Sequence, residues 1–462
     1  MQNQTIAAIS TPYGRGGVAK IRISGSDAIE VAEKLFKPKN GRKLGYIPPR
    51  SAIYGDIFDL NDKSSAPLDD AIAIFFRAPH SYTGEDTVEL DFHGGILLSQ
   101  RVLASCITAG ARPAEAGEFT RRAFVSGHLT LSQAEAVIGK IDAVSDAQLK
   151  LASSQARGTL SRALEGITEE LASLISAVYA VIDYPDEDLA EYTTDEILSH
   201  TRGIEESLRA LCATYKAGSA IAEGIDCVIA GLPNTGKSSL LNMLLGRERA
   251  IVTDIAGTTR DVIEETVSLG QVTLRLCDTA GIRESGDAVE QIGVEMALSR
   301  MERAGLLLAV FDGSKPLDEE ESLFLDRCRE VGCAKIAIIN KEDLGITLDV
   351  ETIRGIFDEV VTVSAKLGCG REAIASVVER LFEVGSIDYD NSAMLVNARQ
   401  HAAASSALDA ITRAADALEA GAPADIAGLE LELAMGALGE LDGRRVTEEI
   451  VDRIFHRFCV GK

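Results

Sequence analysis

The octapeptide GLPNTGKS occupies residues 231–238, between the apolar run IDCVIA and the helical run SLLNMLL. It fits the GxxxxGK[ST] spacing, and its setting between a strand and a helix is the one phosphate binding requires. Glycines let the loop turn its backbone N–H groups toward a phosphate chain, and the helix that follows adds its N-terminal partial charge. Lys237 is then placed to reach the β- and γ-phosphates, and the Ser238 hydroxyl to bind Mg²⁺. DTAG at residues 278–281 follows the strand-like VTLRLC, so that Asp278 can hold the Mg²⁺ shell and the Gly281 amide can sense a γ-phosphate. NKED at residues 340–343 follows KIAIIN, and SAK at residues 364–366 follows VVTV. A carboxylate such as Asp343 accepts hydrogen bonds from both N1–H and the 2-amino group of guanine, which adenine lacks, so the pattern selects GTP over ATP. Thr259, within GTTRD at residues 257–261, is the natural switch threonine, ordered by Mg²⁺ and γ-phosphate. The position after DTAG is Ile282, an apolar side chain that cannot orient water. That task falls to Glu284, Asp287 or Glu290, which the residues alone do not rank, and no arginine identifies itself as a finger.

Three textures carry these motifs. Up to residue 118, strand-like runs (TIAAIS, VAKIRIS, AIAIFFRA, TVELDFHGG) alternate with Gly, Pro and Asp turns around a helical stretch at residues 97–109, which predicts an α+β domain. Residues 119–218 turn helical, with apolar residues at spacings of three and four from Leu160 to Ile182. SQAE at residues 132–135 reads as a capping box, and Pro185 as a helix terminator. Residues 219–384 alternate strand and helix, which predicts a mostly parallel sheet covered on both faces, and residues 385–462 are helical again. The expected class is therefore multidomain α/β and α. Helical segments flanking a complete α/β unit suggest that residues 119–218 and 385–462 form one discontinuous domain with a Ras-like P-loop domain inserted.

The whole chain of 462 residues carries 46 Lys and Arg against 71 Asp and Glu, a formal charge of −25. This excludes a protein that holds nucleic acid through its global field. The acid lies outside the first 120 residues, where thirteen basic residues face fourteen acidic ones. Between Arg15 and Arg50 nine basic residues face three acids, a local excess suited to a polyanionic tail or a tRNA phosphate run. MQNQTIAAIS lacks the features of a signal or transit peptide, and no apolar run approaches the ~20 residues of a membrane span, so a cytoplasmic protein without stable membrane insertion is expected. Eight scattered cysteines with no CxxC pair disfavour zinc and a disulfide framework. Phe455 and Phe458 are placed to anchor the helix end before the terminal Cys459.

GLPNTGKSSL, TDIAGTTRD and DTAGIRE, taken with PHSYTGEDTVELDFHGG, GEFTRRAF and the terminal CVGK, resemble the MnmE (TrmE) family of tRNA modification GTPases along essentially the whole chain. The resemblance implies an N-terminal tetrahydrofolate-binding and dimerising domain at 1–118, a helical domain at 119–218 and 385–462, and a G domain at 219–384. It further implies a homodimer that works with the FAD-carrying flavoprotein MnmG (GidA) on C5 of the wobble uridine, U34, of tRNA. On the same footing, Asn234 matches the family's potassium-binding asparagine, and Thr253, Ile255 and Thr258 its K-loop. A K⁺ ion there supplies charge where an arginine finger otherwise acts. The family's water-orienting glutamate falls on Glu290. The nucleotide site then comprises Asn234, Thr235, Gly236, Lys237, Ser238 and Ser239; Thr253, Asp254, Ile255, Ala256, Gly257, Thr258 and Thr259; Asp278, Thr279, Ala280 and Gly281; Asn340, Lys341 and Asp343; and Ser364, Ala365 and Lys366. Mg²⁺ falls to Ser238 and Thr259, and K⁺ to Asn234 and the K-loop. Arg22, Glu85 and Lys462 match the pocket for 5-formyl- or methylenetetrahydrofolate. His128 stands where relatives often carry Lys or Arg, and Cys459 matches a cysteine needed for modification.

An RNA-binding or ribosome-assembly switch of the Era or EngA kind is the rival reading. A single P-loop and an acidic helical C-terminal region without a GxxG-bearing basic module argue against it. The lack of a basic amphipathic helix argues against membrane remodelling.

Overall fold

The computed structural model describes residues 4–62, 66–183, 193–246, 265–276, 304–385 and 387–461. Contacts gather the chain into two compact units, residues 1–138 with 439–462, and residues 139–438. The textural boundaries at 118, 218 and 384 thus do not coincide with the limits of these units.

In the first unit, strands β1 (Ile6–Ile9), β2 (Val18–Ser24), β3 (Phe36–Pro38), β4 (Ala52–Ile57), β5 (Asp69–Phe76), β6 (Thr87–His93) and β7 (Arg112–Pro113) form one sheet. Its order is β3-β4-β5-β6-β2-β1-β7, antiparallel except for the β1–β7 pair. Alternation sets the faces: in β2, Ala19, Ile21 and Ile23 are buried, while Lys20 and Arg22 point the other way. The buried face packs beneath helices Ala28–Leu35 and Ile96–Thr108, through Val31, Leu35, Val102 and Cys106 against Ile21, Leu90 and Phe75. The second helix lies within a residue of the stretch read from sequence.

Helices Glu118–Val125, Leu131–Asp142 and Glu448–Phe455 complete this unit, joined by Leu131, Ala134, Val451, Phe455 and Phe458. The capping box at the second of these is two residues earlier than the expected SQAE. Thr130 N donates to Gln133 Oε1 at 2.9 Å, and Gln133 N donates to Thr130 Oγ1 at 3.3 Å. Ser132 is instead buried within the helix, its hydroxyl 3.3 Å from the Leu441 carbonyl. TLSQ satisfies the S/T-x-x-E/Q rule as well as SQAE does, and packing of Leu131 decides between them.

In the second unit, β8 (Ile225–Ala230), β9 (Glu265–Leu269), β10 (Val272–Leu276), β11 (Leu306–Asp312), β12 (Ala334–Asn340) and β13 (Glu359–Thr362) form a sheet in the order β13-β12-β11-β8-β10-β9. Only the β9–β10 hairpin is antiparallel, as the alternating texture predicts. All seven residues of β11 are buried, as befits a strand covered on both faces. Helices Thr159–Asp183 and Thr194–Ala213, which precede the sheet in sequence, pack in the same unit as helix Ala398–Glu419, which follows it. The first ends before Pro185, which lies outside the described residues.

Candidate functional site

The order of strands reverses at β8, whose neighbours β10 and β11 lie on opposite sides, and ligands of open α/β sheets bind at such a switch point beyond the carboxyl ends of the strands. Every described nucleotide motif is there. The 231–238 loop leaves β8 and opens helix Lys237–Leu245, NKED begins on the last residue of β12, and SAK follows β13. Two glycines let the loop pass close to its supports. A Cβ on Gly231 would lie 2.4 Å from the Val310 carbonyl oxygen, and one on Gly236, at φ +98°, would lie 2.1 Å from Asn340 Nδ2. Asn234 adopts φ +62°, a left-handed conformation that asparagine tolerates better than most residues, and its side chain is exposed. Ser238 and Ser239 are exposed as well.

Asn340 joins the phosphate loop to the base-recognition loops. It is 3% exposed; its Nδ2 donates to the Thr235 carbonyl at 2.9 Å, and its Oδ1 accepts from the Ala365 N–H at 3.0 Å. Thr235 is itself buried, with its hydroxyl donating to the Leu232 carbonyl at 2.9 Å. Lys237 Nζ folds over the loop, 3.0 Å and 2.8 Å from the carbonyls of Gly231 and Leu232. Asp343 is exposed, and Ser364 Oγ donates to its Oδ1 at 2.6 Å, while no described residue is bonded to its Oδ2. Lys341, at φ +67°, extends its ammonium to Asp312 Oδ2 at 2.6 Å. Ser314 donates to Oδ1 of the same carboxylate through both N–H (3.0 Å) and Oγ (2.6 Å). Burial alone would raise the Asp312 pKa, but the bonds from Lys341 and Ser314 hold it below the usual aspartate value. Asp312 and Ser314 were not singled out from sequence. The signal available was an aspartate closing an apolar strand, in a DGS turn.

Arg22, Glu85 and His128 gather around the SYTGED loop of the first unit. Arg22 bonds Glu89 through Nε (3.0 Å) and Nη2 (2.9 Å), and its guanidinium lies 5.1 Å from the Tyr82 ring centroid and 5.5 Å from that of Phe119. Glu85 accepts from Arg122 Nη1 at 3.1 and 2.9 Å and from Ser24 Oγ at 2.8 Å. His128 Nε2 lies 2.8 Å from the Pro79 carbonyl and Nδ1 3.1 Å from Ser126 Oγ, while Ser126 donates to the Thr83 carbonyl. Arg122 also binds Glu118, which is paired with Arg112. Burial would raise the Glu118 pKa, yet Arg112 and Arg122 hold it low; likewise Glu89, where Lys20 and Arg22 overcome burial. Arg122, within the GEFTRRAF motif, was missed as a partner of Glu85. A separate cavity of about 670 Å³ is lined by Arg15, Leu68, Gly94 and Leu97 among others, and none of the three residues faces it.

The chain end returns to this unit. Val460 bridges Ala116, Phe458 and Phe455 stack at 5.4 Å, and Gly461 at φ +100° lies so close to β1 that a Cβ would fall 2.2 Å from the Ile9 carbonyl oxygen. Cys459 is thus held between pinned neighbours with its thiol exposed.

The family model for the MnmE helical domain matches residues 131–459, and that for the N-terminus of the GTP-binding protein TrmE matches residues 5–128. A tRNA modification GTPase MnmE of Clostridioides difficile is 38% identical over 462 residues, covering 100% of this chain and 99% of the relative. The Symbiobacterium thermophilum protein of that name is 41% identical over 464 residues, covering 100% of both. The chain belongs to the MnmE family of tRNA modification GTPases. A GTP-binding protein of Sulfolobus solfataricus solved with GDP aligns with 48% of this chain and 68% of its own, at 18% identity and a TM-score of 0.25, too low to carry weight.

Several residues that the MnmE resemblance assigns lie outside the described residues: Thr253, Asp254, Ile255, Ala256, Gly257, Thr258 and Thr259, Asp278, Thr279, Ala280 and Gly281, Glu290, and Lys462. Of the Mg²⁺ and K⁺ ligands expected in this MnmE chain, Ser238 and Asn234 are described. Both are exposed on the 231–238 segment.

Proposed function

We propose that this chain binds GTP in the cleft between the 231–238 loop and the Asn340–Asp343 and Ser364–Lys366 loops, and that its hydrolysis serves modification of tRNA at C5 of the wobble uridine. The observation that carries the reading is the Asn340 clamp, which ties the phosphate loop to the base loops so that one side chain registers both ends of a nucleotide. Glycines that leave no room for a Cβ fit a loop whose backbone approaches phosphates, and the free Oδ2 of Asp343 fits the N1–H and 2-amino edge of guanine. Ser238 and Thr259 would hold Mg²⁺, and Asn234 with Thr253, Ile255 and Thr258 would hold K⁺. Both ions, when bound, would supply positive charge that offsets charge developing on the phosphates. Glu290 would orient the water, the role Ile282 cannot fill.

The N-terminal reading rests on similar chemistry. A pterin presents the same amide and amino edge as guanine, and Glu85, steadied by Arg122 and Ser24, is a carboxylate able to accept from it. Arg22 presents a cation flanked by two rings, although Glu89 already neutralises it. The chain would act as a cytoplasmic homodimer with the flavoprotein MnmG, the reduced folate supplying the one-carbon group and Cys459 serving the modification site. No described helix is long and apolar enough to cross a membrane.

Steady-state GTP hydrolysis tests the ion and water assignments. Turnover is expected to fall at least tenfold when NaCl replaces KCl, and at least a hundredfold in Glu290→Ala. Equal rates in the two salts would remove the K⁺ assignment, and wild-type turnover in the variant would remove Glu290.

A further inference from the structure

Residues 34–50 (KLFKPKNGRKLGYIPPR) hold six Lys and Arg and no acid, in a chain whose charge is −25. The segment is folded rather than a loose basic arm. Phe36 and Leu44 are 1% and 0% exposed, and Ile47 is buried beside them, all within the core under the first sheet. Between these anchors the chain turns through Gly41, at φ +74°, and a 3₁₀ turn at Leu44–Tyr46, where the Gly45 N–H donates to Glu33 Oε1 at 3.0 Å. Arg50, at φ +62°, hangs its N–H on the Phe75 carbonyl at 2.7 Å and its Nη2 on the His80 carbonyl at 3.4 Å, which brings it beside Arg77 at the end of β5.

Its cations divide into two groups. Lys34 pairs with Glu30 at 3.1 Å, Lys39 with Asp56 at 2.6 Å, and Lys37 rests 4.5 Å from the Phe58 ring centroid. Arg42, Lys43 and Arg50, with Arg77 beyond the segment, are exposed and have no carboxylate partner among the described residues, although acids outnumber bases in the chain as a whole; Arg77 rests 5.5 Å from the Phe75 ring centroid. Tyr46 projects from the same turn at 83% exposure, the highest of the exposed large hydrophobic residues described. A turn anchored in the core that offers cations without carboxylate partners, together with an exposed aromatic ring, combines phosphate neutralisation with base stacking.

We propose that the turn from Lys37 to Arg50, with Arg77 beside it, is a contact platform for single-stranded RNA: Arg42, Lys43, Arg50 and Arg77 engage phosphates, and Tyr46 stacks on an unpaired base. The RNA is a tRNA loop, which rests on the tRNA-modification reading above. Base-paired RNA hides its bases from such a ring, whereas a loop exposes them. Because the rest of the chain repels polyanions, the platform confers orientation and a weak, salt-sensitive affinity.

The test uses the full-length protein and an in vitro tRNA transcript with uridine at the first anticodon position, titrated by filter binding from 50 to 300 mM KCl. Arg42→Gln with Lys43→Gln should make the slope of log affinity against log salt shallower by about 1.4, from two phosphate contacts at ~0.7 each. Tyr46→Ala should weaken binding about tenfold, and Tyr46→Phe should restore it. Guanine-nucleotide binding and the melting temperature should not move in any of these variants, since the Arg42, Lys43 and Tyr46 side chains are all exposed. Wild-type affinity and slope in the double variant would overturn the proposal. So would unchanged RNA binding accompanied by lost capture of a partner protein, since the surface would then be a protein interface. Nucleoside analysis of tRNA scores the modification reading separately, so failure of the platform and failure of that reading are distinguishable.

Discussion

Asp312 and Asn340 each hold other residues of the proposed GTP site. Asp312 fixes the Lys341 ammonium from beneath, and Ser314 fixes Asp312 in turn. Asp312→Ala frees Lys341 and should weaken GDP affinity about tenfold by fluorescence titration, with preference for guanine over adenine retained because Asp343 is untouched. Asn340→Ala leaves the Ala365 N–H and the Thr235 carbonyl without their partner, a cost of about 2 kcal/mol for each group. The cysteines divide in a way that alkylation can read. Burial pushes the thiols of Cys106 and Cys328 up to about 12, while Cys369 and Cys459 are exposed. Iodoacetamide at pH 8 should therefore label Cys369 and Cys459 in the native protein and reach Cys106 and Cys328 only after denaturation, as peptide mass spectrometry would show.

At the scale of elements, the phosphate loop depends on glycines that hold no side chain. Gly236→Ala places a methyl group against Asn340 Nδ2 at a backbone angle that alanine rarely adopts, at a cost of about 1–3 kcal/mol. Isothermal titration should show GTP affinity reduced by at least tenfold while helix Lys237–Leu245 persists by circular dichroism. The loop, its strand and its helix were legible in sequence because spacing and local pattern specify them together. Asp312 was not, since its role depends on β11 and β12 lying side by side, a pairing across 28 residues that no local pattern encodes. Nor was the cap at Thr130, where two overlapping tetrapeptides satisfy the same rule and tertiary packing of Leu131 and Ser132 chooses between them. The anchoring of the chain end was legible, as Phe455 and Phe458 stack as their spacing suggests.

Across the molecule, charge is partitioned. The first unit is nearly neutral and concentrates its carboxylates in partnered positions, with Glu89 between Lys20 and Arg22 and Glu118 between Arg112 and Arg122. Their folded-state pKa values are depressed, so the stability they contribute is present above the ordinary glutamate value of 4.5 and is lost as pH falls through the lower, folded values. Peptide-resolved hydrogen exchange, corrected for intrinsic rate, should show β2 and β6 losing protection below pH 4.5 and keeping it between pH 5 and 8. Protection that held unchanged down to pH 2 would contradict this. In the proposed function this polar unit and the GTP site serve one reaction on tRNA. Its most direct test is mass spectrometry of tRNA nucleosides from cells lacking the protein, with and without the wild-type gene restored. The C5 substituent of the wobble uridine should disappear in the deletion and return on complementation, with other modified nucleosides unchanged. An intact C5-modified wobble uridine in the deletion strain would contradict it.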